Sequence, residues 1–133
     1  MHSAVDEVLR FHEFVEEWLS KSDENQAGWQ RFEDVLTSGF EMVVPGGVRV
    51  GRAELIESFR QAQGARPGVT VEVREAQVIH GDENLEVVRY EEWQLHPDYA
   101  NQRVSTAVLT RAEEAPLGWM WRSVHETWLP DPS

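Results

Sequence analysis

Apolar positions near the start of the chain step by three and four. Val8, Phe11, Val15 and Trp18 set the period, and Val5, Phe14 and Leu19 widen the stripe. That spacing predicts an amphipathic helix from Ser3 to Ser20. Ser3 is its N-cap, and Asp6 and Glu7 lie in the first turn, where the helix dipole favours acids. Lys21-Ser22-Asp23 interrupts the stripe. Asp23 reads as a second N-cap, with Gln26 at the capping-box position. Trp29, Phe32, Val35 and Leu36 then share one side, which predicts a second helix from Glu24 to Ser38 with Gly39 at C′. Phe40 to Val44 is a short strand, Pro45-Gly46-Gly47 a tight turn and Val48 to Val50 a return strand. A third helix is predicted from Arg52 to Gln63, with Leu55, Ile56, Phe59 and Ala62 inward. Gly64 closes it, and Arg66-Pro67-Gly68 is a turn.

From Val69 the period changes to two. Val69, Val71 and Val73 hold one parity, whereas Ala76 and Val78 hold the other. A β-bulge near Arg74 or Glu75 restores one apolar face and bends the strand. His80 to Asn84 is a hairpin loop. Leu85 to His96, Arg103 to Arg111 and Trp119 to Leu129 read as three more long strands, joined by Pro97 to Gln102 and Glu113 to Gly118. Helices first and strands last imply an α+β fold. The expected architecture is a curved antiparallel sheet of four long strands plus a short N-terminal hairpin. Three helices lie on its concave face, and residues 1–133 form a single cone-shaped domain. A cone has an apolar interior with one open mouth, a natural small-molecule site.

Composition narrows the partners. Lys and Arg number 12 and Asp and Glu 24, a net charge of −12. Such a chain repels nucleic-acid phosphates and anionic lipid surfaces, so neither is an expected partner. Cysteine is absent, which removes thiolate catalysis and disulfides. The first residues lack the pattern of a signal peptide, and no apolar run approaches the roughly 20 residues that span a bilayer. A cytoplasmic location is expected.

The element order resembles that of the nuclear transport factor 2-like superfamily. So do the segments His80-Gly81-Asp82, Tyr90-Glu91-Glu92-Trp93-Gln94, Arg103-Val104-Ser105-Thr106-Ala107 and Trp121 to Trp128. The resemblance covers essentially the whole chain and is greatest to a small bacterial branch of unassigned function. That branch is similar to the association domain of calcium/calmodulin-dependent protein kinase II. The superfamily includes ketosteroid isomerases, SnoaL-like polyketide cyclases, scytalone dehydratase and limonene epoxide hydrolase. It implies a cone, and a homodimer formed through the outer sheet face. It does not imply one activity, because the same cone hosts enzymes and oligomerisation modules. The isomerase's two aspartates have no counterpart on the long strands here: Asp23, Asp82, Asp98 and Asp131 all fall in loops or the tail.

Glu91 and Glu92 are neighbours on a strand and face opposite ways. One parity holds Val88, Tyr90, Glu92, Gln94 and His96, the other Val87, Arg89, Glu91, Trp93 and Leu95. The resemblance puts Tyr90, Glu92 and Gln94 inward. It also favours Ser105, Ala107, Leu109 and Arg111 on the next strand, and Arg122, Val124, Glu126 and Trp128 on the last. Glu92, Glu126 and His125 are therefore the candidate acid–base groups. Trp29, Tyr90, Gln94, Ser105, Arg111, Arg122 and Trp128 are the candidate ligand contacts. A desolvated carboxylate there gains a raised pKa suited to proton transfer. A carboxylate paired with arginine does not, and an internal Glu–Arg network fixing strand register is the competing reading. His125, beside Trp121 and Thr127, is either a base or a packed, dimer-facing histidine.

No metal or cofactor is expected. His12-Glu13-Phe14-Val15-Glu16 matches the zinc-protease helix signature except that Glu16 replaces its second histidine. No third ligand is identifiable, and His12 is expected to border the helix's apolar stripe. Gly46 to Arg52 lacks the Lys and Ser/Thr of a phosphate-binding loop. Three functions remain open from these residues. One is a small-molecule-binding cone for a hydrophobic ligand, without chemistry. Another is a small isomerase, dehydratase or cyclase working through a buried carboxylate. An oligomerisation or adaptor module is a third. Which glutamate enters the cone, and whether a cation meets it there, discriminates among them.

Overall fold

The computed structural model describes residues 2–21 and 25–130. Its elements are α1 (Ala4–Ser20), α2 (Gln26–Asp34), β1 (Leu36–Val43), β2 (Arg49–Gly51), α3 (Arg52–Gln61), β3 (Thr70–Gly81), β4 (Leu85–His96), β5 (Tyr99–Arg111) and β6 (Trp119–Trp128). The strands form one six-stranded sheet in the order β2-β1-β6-β5-β4-β3. Four neighbouring pairs are antiparallel, but β1 runs parallel to β6. The sheet is therefore mixed rather than purely antiparallel. The short hairpin joins the long strands through that parallel contact, because the crossover from β1 to β6 passes through all the intervening elements.

The α1 stripe is buried as its spacing predicts, from Ala4 and Val8 through Phe11, Phe14 and Val15 to Trp18 and Leu19. Ser3 is the N-cap, and its backbone N–H donates to the Asp6 carboxylate at 3.2 Å. The predicted Asp23 cap lies outside the described residues; Asn25 caps α2, its side-chain oxygen accepting from the Gly28 N–H. Helix α2 is shorter than its apolar pattern predicts, because Leu36 to Gly39 belong to β1. Leu36 pairs with Trp121, and the Trp121 N–H donates to the Val35 carbonyl at 2.7 Å. Pairing with β6 thus overrides the helical period, and Gly39 is a strand residue whose missing Cβ faces the Arg122 guanidinium. Likewise β5 begins at Tyr99, so only Pro97 and Asp98 separate it from β4.

Irregularities in strand register accompany the curl of the sheet into a cone, and two of them set which residues face inward. The register of β3 on β4 shifts between Arg74 and Gln77, where Glu75 takes φ 56°. This is the bulge that the parity slip predicts. The second was not visible in the pattern. Leu109 pairs with Trp121 and Val108 with Ser123, which leaves Arg122 as the extra residue of β6. Its parity therefore reverses: Trp119 and Trp121 face inward, and beyond the bulge Val124 and Glu126 do. Helix α1 packs across β3 and β4, and α3 against β1 and β2. Between them lies one core rich in aromatic side chains, including Phe11, Phe32, Trp119 and Trp121. No helix among the described residues is long and apolar enough to cross a membrane.

Candidate functional site

Curling the sheet under three helices leaves an open cavity of about 430 Å³. One wall is apolar, built from Leu36, Phe40 and Met42 of β1, Val50 of β2 and Leu55 and Phe59 of α3. Facing it, the inward parity of β4 presents Tyr90, Glu92 and Gln94, β6 presents Glu126 and β5 presents Arg103. His12 enters from α1, and Arg66 from the turn after α3.

These polar groups form two hydrogen-bonded sets side by side. The His12 Nδ1 lies 2.8 Å from the Val8 carbonyl, which can only accept, so Nδ1 carries a proton. Its Nε2 lies 3.1 Å from Glu92 Oε1. The other Glu92 oxygen accepts from Gln94 Nε2 at 2.7 Å, and Gln94 Oε1 accepts from Arg66 Nη1 at 2.6 Å. Alongside, Arg103 donates to Glu126 Oε1 at 3.3 Å and to Asn101 at 2.9 Å, and Ser105 Oγ donates to Glu126 Oε2 at 3.4 Å.

The two carboxyls are driven apart. Burial pushes Glu92 up, but the charge and hydrogen bond of His12, with Arg103 and Gln94, outweigh it and hold Glu92 at about 2. Burial pushes His12 down, yet the Glu92 carboxylate more than compensates, so His12 is raised. Glu126 is raised by burial and by the neighbouring Glu92 charge, against the opposing pull of Arg103. Burial and both carboxylates raise the Tyr90 phenol well above its usual value, keeping it neutral. Glu92 is thus an ionised partner of a cationic histidine, whereas Glu126 is the carboxyl able to hold a proton nearer neutrality.

The sequence candidates divide accordingly. Tyr90, Glu92, Gln94 and Glu126 line the cavity, and Ser105 is buried beside Glu126. The others lie elsewhere. Trp29 is buried in the aromatic cluster, 4.7 Å from Trp18 between ring centroids. Arg111, at the end of β5, sits over Trp119 and donates to the Glu83 carbonyl. The bulge turns Arg122 outward, where it donates to the Gly39 carbonyl, and leaves His125 exposed. Trp128 is 51% exposed at the end of β6 and stacks on the Arg103 guanidinium. The expected Glu–Arg network exists, but its arginine is Arg103.

Three cavity residues were missed as site candidates. His12 carried a signal, since it falls one turn after Val8 on the buried stripe and an ionisable group there needs a partner. Arg103 precedes Ser105 by two and shares its face. Arg66, in a turn, has no periodicity to reveal it. Among the described residues, no three His, Asp or Glu side chains converge as a metal site.

The cone, its helices and its sheet order define a protein of the nuclear transport factor 2-like fold. The chain belongs to the sucrose-6-phosphate phosphohydrolase C-terminal family, whose model matches residues 4–130. The structure is similar to an NTF-2 like protein of unknown function from Pseudomonas aeruginosa, with 27% identity and TM-score 0.84 over 93% of this chain and 96% of that one. A putative ketosteroid isomerase from Parabacteroides distasonis has the same fold at 12% identity and TM-score 0.67, covering 99% of this chain and 92% of that one. So does the S. rosetta CaMKII hub, at 13% identity and TM-score 0.65, covering 95% and 92%. No curated protein matches the chain.

Proposed function

We propose that this protein binds a small molecule with an apolar body and a hydrogen-bonding end inside the cone. The carrying observation is an open cavity of about 430 Å³ whose apolar wall faces a polar one. That volume suits a ligand of one to three fused rings, since ligand pockets span roughly 300–1,000 Å³ and bury most of what they hold. The apolar body lies against Phe40, Met42, Leu55 and Phe59, and the polar end meets the polar side chains that share the cavity with them. A sugar phosphate, which the family name suggests, is a poorer fit to that wall. The protein acts as a homodimer through the outer face of β4 to β6. There Val87, Val104, Val108 and Met120 are half-buried apolar side chains, with Arg89 and Glu91 on the same face between them.

Naphthylmethanol, an uncharged fused-ring alcohol, tests the site. Calorimetric titration is expected to show one saturable site, weakened several-fold by the cavity-filling changes Val50→Phe and Ala62→Phe. Binding that is absent, or unmoved by both changes, overturns the reading.

A second reading has one observation in its favour: Glu92 and Glu126 share the cavity with their protonation pushed in opposite directions. Such a pair suits an acid–base isomerase, dehydratase or cyclase, with Glu126 as the proton-exchanging group. In that case Glu126→Gln abolishes turnover of any substrate found while leaving its binding in place.

A further inference from the structure

The charges lining the cavity do not balance, and the imbalance sits at one residue. The ionisable side chains on the wall, apart from Tyr90, are His12, Arg66, Glu92, Arg103 and Glu126. His12 and Glu92 neutralise each other. With Nδ1 committed to the Val8 carbonyl, the 3.1 Å contact of Nε2 with a carboxylate oxygen holds one proton between the two groups. Arg103 and Glu126 form a second balanced pair at 3.3 Å. Arg66 is left over. Its Nη1 donates to Gln94, a neutral amide, and it has no carboxylate within salt-bridge distance among the described residues.

Its position matters as much as its charge. Arg66 lines both the cavity and a shallow depression beside it, formed with Pro67, His96, Tyr99 and Asn101. It therefore stands where the cone opens, at one end of the chain of hydrogen bonds from Gln94 through Glu92 to His12. The Tyr99 ring lies 6.0 Å below the guanidinium. In a protein of net charge −12, an uncompensated guanidinium at the rim of an apolar cavity is the one wall group that draws an anion inward.

We propose that the ligand is an amphipathic monoanion, whose carboxylate or comparable anionic head is held by Arg66 at the rim while its apolar body fills the cone. This rests on the small-molecule reading above and specifies its ligand class. The two inner carboxylates do not repel such a molecule, because each is already matched by its own cation. Arg103 is not the anchor: its Nη groups donate to Glu126 and Asn101, and its Nε, which has no partner among the described residues, is buried out of reach of an entering ligand. A cationic ligand has no unmatched carboxylate to meet, and a neutral one leaves the Arg66 charge unused.

The test compares probes with one apolar body and different ends: naphthoate, naphthylmethanol and naphthylmethylamine, titrated calorimetrically at neutral pH and low salt. A charge-assisted hydrogen bond at a half-open rim predicts that naphthoate binds about tenfold more tightly than the alcohol. The amine is expected to bind most weakly. Arg66→Gln abolishes the preference of naphthoate over the alcohol, and Arg66→Lys retains most of it. Arg66 is exposed, and an unchanged Tm certifies that each variant is folded. Equal binding of naphthoate and alcohol, or a preference that survives Arg66→Gln, overturns the anion assignment and leaves the small-molecule reading standing. Binding of none of the three overturns both.

Discussion

His12 on α1 and Glu92 on β4 lie eighty residues apart in the chain and meet inside the cone with 3.1 Å between Nε2 and Oε1. The pair ties the first helix to the centre of the sheet at the cavity wall, both side chains being almost fully buried. A buried ion pair tolerates that position only when its remaining lone pairs and protons are also satisfied. Here they are, because Val8 holds the other ring nitrogen and Gln94 the other carboxylate oxygen. Every apolar contact of α1 is thereby registered against one polar point on β4.

That pair has a characteristic pH signature. Glu92 is lowered from 4.5 to about 2, so its contribution is present above 4.5 and is lost as pH falls towards 2. His12 is raised from 6.5, so its contribution is present below 6.5 and is lost as pH rises through its elevated folded value. The stability gap between the native protein and His12→Gln is therefore expected to be widest between 4.5 and 6.5 and to narrow on both sides. Thermal unfolding of both proteins across pH measures it, and parallel profiles would show that the pair carries no ion-pair stabilisation.

A second buried carboxylate is purely architectural. Glu7, fully buried, accepts from Arg31 at 2.7 and 3.3 Å and from Trp121 Nε1 at 3.0 Å, which clamps α1, α2 and β6 together. Burial raises its pKa, and Arg31 and Trp121 oppose that shift. Arg31→Ala strands the charge, and breaking a buried pair in this way costs about 3–5 kcal/mol. Denaturant unfolding at neutral pH is expected to show that loss, relieved in the double variant Glu7→Gln, Arg31→Ala. A loss below about 1 kcal/mol would place the pair in the class of weak surface bridges.

What the sequence reveals about this fold follows from which signals are local. The α1 stripe and the period-two alternation of β3 and β4 depend on burial of one face, and both are legible. So is the β3 bulge, since Val73 and Ala76 cannot share a face without an extra residue between them. Helix α2 ends early because Leu36 pairs with Trp121, a contact 85 residues away that no local period reports. The bulge at Arg122 was hidden because tryptophans stand on both sides of it, so either parity of β6 reads as apolar. That single residue decides the site. The bulge turns Arg122, which the resemblance places inward, away from the cavity, and leaves Arg103, on the same face of β5 as Ser105, as the cation beside Glu126. Tyr90, Glu92, Gln94 and Glu126 are placed inward by the family resemblance, because the alternation along β4 and β6 alone leaves either parity open.

The β3 bulge carries a measurable strain. Glu75 adopts φ 56°, a left-handed conformation that costs a side-chain-bearing residue about 1 kcal/mol and glycine little. Its side chain is exposed, so removing it sacrifices little packing. Glu75→Gly is therefore expected to raise the unfolding free energy by up to about 0.5 kcal/mol, after allowance for glycine's greater freedom in the unfolded chain. Urea titration reads the difference. A destabilised variant would mean that the bulge is held by the Glu75 side chain rather than merely tolerated by it.

The proposed dimer predicts a mass and a way to halve it. Val87 and Val108 face each other across β4 and β5, and Met120 lies beside them next to Thr110, all on the face of the sheet opposite the cavity. A second copy covering this patch removes apolar area from water at about 25 cal/mol per Å². A glutamate at Val108 must then be desolvated, or the interface must open. Light scattering at micromolar concentration is expected to give twice the chain mass of 15.3 kDa for the native protein and the single mass for Val108→Glu. The cavity lies on the other face, so probe binding by Val108→Glu is expected to persist in the monomer. A native protein of single mass would leave this face free and remove the dimer, without touching the assignment of the cone.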